Sequence, residues 1–408
     1  MKDVRSIAVD VLERAAREKM FVDDALDSAR GGGLSRRDRG LLTSIVLGAT
    51  RHRLTLDYLA ETVSGAHDIE EPLRPVLRVA LYQMLFMRRI PDYAAVDAAV
   101  RRASGRAKKF VNAVLRKIQR EKEDFASPAD DPRRLLPRPG AEPLAFKSDV
   151  FPEDPVERMA VVHSHPLWLV QRWAKRWGDG TESILRANNA VPPLTVRARA
   201  PGLVERLRAE GVDARPGTRP DSFVLVRPGK LSSLAAFREN LFQVQDETQM
   251  AVAPRLAGAR RVIDVCAAPG GKAVHLADLG ADVVACDVSL SRLRMVGAGL
   301  HRVAADGVRP PFRRVFDGAL VDVPCSNTGV LGRRADARWR LKPRDVTAMT
   351  GLQRRLLAAA RALVVPGGRI VYSTCSIERE ENEEIAGPGE TTLPGDRASG
   401  GFAATVAV

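Results

Sequence analysis

The sequence of 408 residues predicts a multidomain protein in which an all-α bundle, a small α/β module and a doubly wound parallel α/β domain follow one another. Three observations lead to that reading. Apolar residues recur at helical spacing, with no strand pattern, from the N-terminus to about residue 120. The alternating stretch Pro193 to Ala200 (PLTVRARA) and the run Phe223 to Val226 flank a helix over Leu203 to Glu210. Beyond residue 251, short apolar runs end in Asp264, Asp287, Asp306, Asp322 and a Ser-Thr-Cys-Ser turn. Buried parallel strands that present polar residues at their carboxyl ends read this way.

A chain of this length holds two or three domains, and a hydrophobic fraction of 45% is ample for their cores. The expected boundaries are 1–122 for the bundle, 123–152 for a linker rich in Pro, Asp and Arg, 153–250 for a bridging module and 251–408 for the α/β domain. No apolar run reaches the roughly 18 residues of a membrane span. The opening MKDVRSIAVDVLERAARE carries charges through its apolar positions, unlike a signal peptide, so a cytoplasmic protein is expected. The net charge of +14 favours an acidic polymer as partner over a neutral metabolite. The cysteines, at 266, 286, 325 and 375, are spaced far from any C-x-x-C pattern, which supports neither zinc nor a disulfide framework. A monomer without metal is expected.

In the bundle, Val4, Ile7, Ala8, Val11, Leu12 and Ala15 mark an amphipathic helix broken by Gly31 to Gly33. Ser35 to Asp38 then resembles a capping box, and further helices are expected around Leu54 to Thr62, Pro75 to Phe86 and Ala94 to Ala103. The last helix has an apolar stripe of Phe110, Val114 and Ile118. Between Arg101 and Arg120 stand eight Lys or Arg and no acid, a run that repels itself unless it meets phosphate. In the bridging module, a helix starts after Pro166 with Leu167, Leu169, Val170, Trp173 and Trp177; His163 and His165 lack partners for a metal and read as core or surface residues.

The most informative stretch is Arg261 to Lys272, RVIDVCAAPGGK, read as strand, tight turn and helix N-terminus. Ala267, Ala268, Gly270 and Gly271 let a ligand approach the backbone, with the N–H groups of the new helix pointing at it. An acid at the tip of the next strand, Asp287, is placed to take the two ribose hydroxyls of an adenosine-containing cofactor. The loop lacks G-x-G-x-x-G, and Ala273 follows Lys272 where a phosphate loop needs Ser or Thr. An adenosine site with neither a pyrophosphate cradle nor a Mg²⁺ ligand points to S-adenosylmethionine.

Two thiols lie on the same sheet edge. Cys266 and Cys286 read as small buried hydrophobes, whereas Cys325 (DVPCSNTG) and Cys375 (YSTCS) each follow a strand and should share one solvent-open cleft. Carbon 5 of cytosine is a poor nucleophile. A thiolate that adds to carbon 6 turns the ring into an enamine whose carbon 5 can attack a methyl sulfonium; the proton at carbon 5 and the thiolate must then leave, with help from a second residue. The nucleophile must be ionised, and the sequence does not identify the neighbour that favours its anion.

The motifs VCAAPGGK, DVPCSNTG and YSTCS, in this order and with PGG before the last, resemble those of the RsmB/NOP family of RNA cytosine-5 methyltransferases. The segments LLTSIVLGATRHRLTLDYL, LRVALYQMLF and KKFVNAVLRKI resemble a NusB-like RNA-binding domain, as in the Sun (Fmu) branch of that family, which modifies small-subunit ribosomal RNA. The resemblance implies an all-α NusB-like bundle, a small α/β bridging domain and a Rossmann-like S-adenosylmethionine-dependent methyltransferase domain acting on ribosomal RNA. It implies that Cys266, Ala267, Ala268, Pro269, Gly270, Gly271 and Lys272 line the cofactor loop, that Asp287 takes the ribose and that Asp306 lies by the adenine. Asp322 would sit where methyl donor and base meet, Cys375 would be the nucleophile and Cys325 the helper that frees the product. The motifs also fit the same chemistry on transfer RNA, or a non-catalytic RNA-binding assembly factor on a decayed scaffold. Two departures stand out: little room between Asp287 and Asp306 for a helix and a strand, and a short tail after Asn382, with Gly401 to Val406 as the last strand.

Overall fold

The computed structural model describes residues 3–31, 33–66, 68–123, 131–297 and 299–408. The chain divides into two units, Met1–Ala190 with Arg334–Arg340, and Val191–Arg333 with Leu341–Val408.

The first unit opens with helices α1 (Val4–Arg17), α2 (Val22–Arg30), α3 (Arg36–Arg51), α4 (Arg53–Ser64), α5 (Arg74–Phe86), α6 (Asp92–Arg102) and α7 (Gly105–Glu121). Where one helix was expected before the glycines there are two, because the chain turns at Lys19, whose φ is 52°. Ser35 caps α3 by accepting from the Asp38 N–H at 3.1 Å. On α7, Val111, Val114, Leu115 and Ile118 are buried, while Arg106, Lys108, Lys109, Arg116, Lys117 and Arg120 stay exposed.

Within the expected linker over 123–152 the described residues, 123 and 131–152, are folded; 124–130 lie outside the described residues. Strands β1 (Lys122–Glu123), β2 (Leu135–Arg138) and β3 (Ala141–Phe146) form an antiparallel sheet in the order β1-β3-β2. Leu136, Leu144, Phe146, Val150 and Phe151 join the core of the helices. These five apolar residues are scattered among Pro and Arg, so no period announces them. The next helices, Pro155–Val162, Leu167–Trp177 and Thr181–Asn189, fall within the same compact unit. From the distant segment 334–340 comes Arg338, fully buried, which donates to the Ser164 carbonyl at 3.1 Å, the Asn188 carbonyl at 2.9 Å and Asn189 Oδ1 at 2.9 Å.

The second unit contains two sheets. Strands β4 (Leu194–Ala198), β5 (Asp213–Pro216), β6 (Ser222–Val226) and β7 (Phe242–Val244) pair antiparallel in the order β5-β6-β4-β7. Its larger sheet comprises β8 (Arg261–Asp264), β9 (Asp282–Asp287), β10 (His301–Ala304), β11 (Phe316–Asp322), β12 (Val364–Thr374), β13 (Glu390–Thr392) and β14 (Gly401–Ala407) in the order β10-β9-β8-β11-β12-β14-β13. All its pairs are parallel except those made by β14. The strand order reverses between β8 and β11, the topological switch point beside which doubly wound sheets bind ligands.

The two sheets are joined by ion pairs. Arg197, buried on β4, donates to Asp278 at 2.6 Å, and Arg199 donates to the same carboxylate at 2.8 and 2.9 Å. The crowding after Asp287 is resolved by shortening the helix to Leu290–Leu293. The tail also folds, with a four-residue helix Glu383–Ala386, a three-residue β13 and β14 inserted against β12.

Candidate active site

The two sulfurs meet because of strand register. β11 and β12 are parallel neighbours with Asp322 opposite Ser373. Cys325 and Cys375 therefore leave adjacent strand ends a few residues further on, and their Sγ atoms are 3.2 Å apart, both as free thiols. Only Cys375 meets the expectation of solvent access. It is half-buried, whereas Cys325 is 7% exposed. Gly329 explains how tightly the loops cross: it donates its N–H to the Cys375 carbonyl at 3.0 Å, and a Cβ on it would stand 2.6 Å from the Gly400 backbone.

Asn327 ties the loops side by side. With φ at 62°, it donates Nδ2 to the Cys325 carbonyl at 2.8 Å and accepts from the Cys375 thiol at Oδ1 at 3.0 Å. Behind the sulfurs runs a buried polar network. Glu381 accepts from the Ser326 N–H at 2.8 Å, the Ser326 hydroxyl at 2.5 Å and Gln353 Nε2 at 3.2 Å. Asn382 bridges the Thr374 hydroxyl, at 2.6 Å, and the Ser376 carbonyl, at 3.0 Å. The Cys325 thiol is held well above its ordinary range by its hydrogen bond with Cys375, then by burial and by the charges of Cys375 and Glu381.

One strand over, Asp322 accepts from Lys272 Nζ at 2.6 Å and from the Ser373 hydroxyl at 2.7 Å. Lys272, expected only as part of the loop, thus reaches across to the acid beside the thiols. Asp264, at the tip of β8, is buried; burial, reinforced by the charge of Asp322, pushes its carboxyl up to about 8. It accepts from the Cys266 N–H at 3.3 Å.

The loop from Cys266 to Lys272 fits an adenosine-type cofactor. Gly270, at φ 108°, packs so closely on Val296 that a Cβ would fall 2.9 Å from its Cα. A Cβ on Gly271, which opens the helix Gly271–Asp278, would meet open space. The Asp287 carboxylate is fixed by the Ala268 N–H at 3.0 Å and the Ser289 N–H at 2.9 Å, its carboxyl group at the mouth of the loop. Asp306 is exposed just beyond β10 and accepts from the Val308 N–H at 2.9 Å. Cys266 is half-buried with its thiol pushed up by burial, so within the loop it packs as an inert group. Glu381, Asn327 and Gln353 were missed in the sequence; the acid and amide of Glu381-Asn382, a few residues past Ser-Thr-Cys-Ser, and Asn327 two residues past Cys325 were the available signal.

A family model described as "16S rRNA methyltransferase RsmB/F" matches residues 250–387, the NusB family model matches 2–120, and a ferredoxin-like domain of RsmF/B-like methyltransferases matches 165–232. The chain is 32% identical to the probable ribosomal RNA small subunit methyltransferase B of Bacillus subtilis, over 94% of this chain and 87% of that protein. It is 29% identical to the ribosomal RNA small subunit methyltransferase B of Klebsiella pneumoniae, over 98% and 96%. Among solved structures, PH0851 superposes with a TM-score of 0.71 at 23% identity, covering 99% of both chains, a likeness of fold.

Proposed function

This chain belongs to the family of ribosomal RNA small subunit methyltransferase B, and from that premise we propose that it methylates carbon 5 of a cytosine in 16S ribosomal RNA through a covalent bond between Cys375 and carbon 6. It is an RNA methyltransferase, and its cofactor is S-adenosylmethionine, which when bound supplies the methyl group as an electrophilic sulfonium. The residues expected to hold it are those from Cys266 to Lys272 with Asp287, Asp306 and Asp322. We place its work in the cytoplasm, with its substrate.

The observation that carries the reading is the contact of two unequal sulfurs. Cys375 has solvent access, so its Sγ is the one that can reach a pyrimidine. Cys325, buried 3.2 Å away, has a thiol that resists ionisation and can donate to the sulfur of Cys375. An S–H donor at that distance favours the Cys375 anion before attack, supplying the neighbour that the sequence did not identify. Addition forms the S–C6 bond and makes carbon 5 nucleophilic. After methylation the proton at carbon 5 passes to water on the open side of the cleft, its C–H electron pair re-forms the C5–C6 double bond, the S–C6 bond breaks and that electron pair returns to Cys375, again beside the Cys325 donor. Lys272 and Ser373 fix the Asp322 carboxylate at the border of loop and thiols.

The exposed bases of α7 offer the phosphate contacts that a structured RNA needs. The test is bisulfite sequencing of ribosomal and transfer RNA from a deletion strain and its complemented parent. Loss of one protected cytosine in 16S RNA is the expected result; loss in transfer RNA, or no loss at all, overturns the substrate assignment.

A further inference from the structure

Nothing in the strand register explains why the proton shared by two adjacent thiols should rest on Cys325 rather than Cys375. Each is the first thiol after a parallel strand, and the two are in mutual contact. The difference lies behind them. Glu381 is fully buried, and both of its oxygens are engaged by Ser326, the residue next to Cys325, one by the backbone N–H at 2.8 Å and the other by the hydroxyl at 2.5 Å, while the hydroxyl of Ser376, next to Cys375, also bonds its carboxylate. Gln353 Nε2 adds a third donor at 3.2 Å while also holding the Pro324 carbonyl at 2.9 Å, so the loop on both sides of Cys325 is gripped by the same cluster. Burial pushes the Glu381 carboxyl up and these hydrogen bonds oppose that rise by favouring its anion; with both its oxygens committed Glu381 has little freedom to swing away.

We propose that Glu381 is a positioning residue for the reaction: its buried carboxylate, locked onto Ser326, keeps the proton of the thiol pair on Cys325 and so leaves the negative charge on Cys375, the sulfur that faces the base. A second negative charge on Cys325 would stand beside Glu381 in a water-poor site, where like charges repel most. On Cys375 the charge has solvent on one side, and the thiol's hydrogen bond to Asn327 Oδ1 at 3.0 Å is given up when it ionises. Two titratable groups act on Cys325, Cys375 across the gap and Glu381 behind it, and both oppose its ionisation. Tyr372, which packs nearby and donates its hydroxyl to the Glu381 carbonyl at 2.6 Å, is itself pushed up by burial and stays protonated. This assignment deepens the proposed function and rests on its division of labour between the thiols.

The decisive measurement needs no RNA. With the full chain labelled at cysteine ¹³Cβ, the four resonances are followed from pH 6 to 10 by NMR and assigned through single Cys→Ser variants. In the wild type the first ionisation of the pair should appear at Cys375, with Cys325 following at higher pH. In Glu381→Gln, which keeps the shape and removes the charge, the first step should spread onto Cys325, changing the ratio of the two anions by about tenfold, or one pK unit. Glu381→Asp, which keeps the charge, should retain the wild-type order, and Cys266 and Cys286 should not move in any variant. The idea is overturned if Gln and Asp perturb the pair alike, if Gln changes nothing, or if Cys325 ionises first in the wild type; this last arm stands even if Glu381→Gln does not fold. Because free protein is titrated, a wrong RNA substrate would leave the result intact, whereas failure here leaves the bisulfite result intact.

Discussion

Cys325 Sγ and Cys375 Sγ touch at 3.2 Å, yet one is buried and the other half-open. Their substitutions should therefore fail in different ways. Cys375→Ala should abolish adduct formation and lower turnover on the order of 10⁴-fold or more, as loss of a nucleophile does. Cys325→Ala removes the donor beside the departing sulfur, so a covalent protein–RNA species should accumulate on denaturing gels. The opposite assignment of the two phenotypes would exchange the roles proposed for them.

The Lys272–Asp322 pair, with side chains 11% and 30% exposed, couples the cofactor loop to the end of β11. Asp322→Asn strands a mostly buried ammonium group and should cost about 1–3 kcal/mol in urea unfolding. Methyl transfer should fall further than that loss of stability explains, on the order of 10²-fold, because the loop and the thiol edge no longer share an anchor. Equal activity of Asp322→Asn and wild type at saturating RNA would remove Asp322 from the reaction.

Asp264 makes a prediction about pH. Its folded-state carboxyl is raised to about 8, so between about pH 4 and pH 8 the native state holds a proton that the unfolded chain has released. Stability should fall as pH rises through that window and level off above it. Asp264→Asn, which cannot ionise, should flatten that slope and gain relative to wild type at pH 8 compared with pH 5. A parallel pair of melting curves across the window would show that the side chain ionises freely in the fold.

Gly329→Ala tests the crossing of the two loops. Its Cβ would fall 2.6 Å from the Gly400 backbone and 2.9 Å from the Cys375 carbonyl, distances that require the main chain to move. A loss of about 1–3 kcal/mol is expected. Binding of S-adenosylmethionine, measured by calorimetry, should change little, because Gly329 lies outside the loop from Cys266 to Lys272. Methyl transfer should drop much more than cofactor affinity.

The catalytic sheet was legible because its strands are buried on both faces: Val262, Ile263, Ala319 to Val321 and Ile370 to Tyr372 are apolar runs that admit few alternatives. The meeting of Cys325 with Cys375 was legible for the same reason, since each follows such a run. Leu136 and Phe146 of the hairpin were not, because a four-residue strand and a six-residue strand with prolines carry too little alternation to detect. Glu381 escaped because its contact with Ser326 spans 55 positions and exists only once β12 returns beside β11. Helix Leu167–Trp177 was legible as a helix from its apolar spacing, since amphipathicity reveals that a face is covered and not by what.

The guanidinium of Arg338 carries a lesson for anyone cutting this chain. The helical unit is spelled by two stretches of sequence, and a fragment ending at residue 190 would expose the carbonyls of Ser164 and Asn188 and the amide of Asn189 around an empty socket. Such a fragment should regain order when a synthetic peptide spanning 334–340 is supplied in trans. Severed from its distant plug, the bundle is an unfinished object rather than a free-standing module.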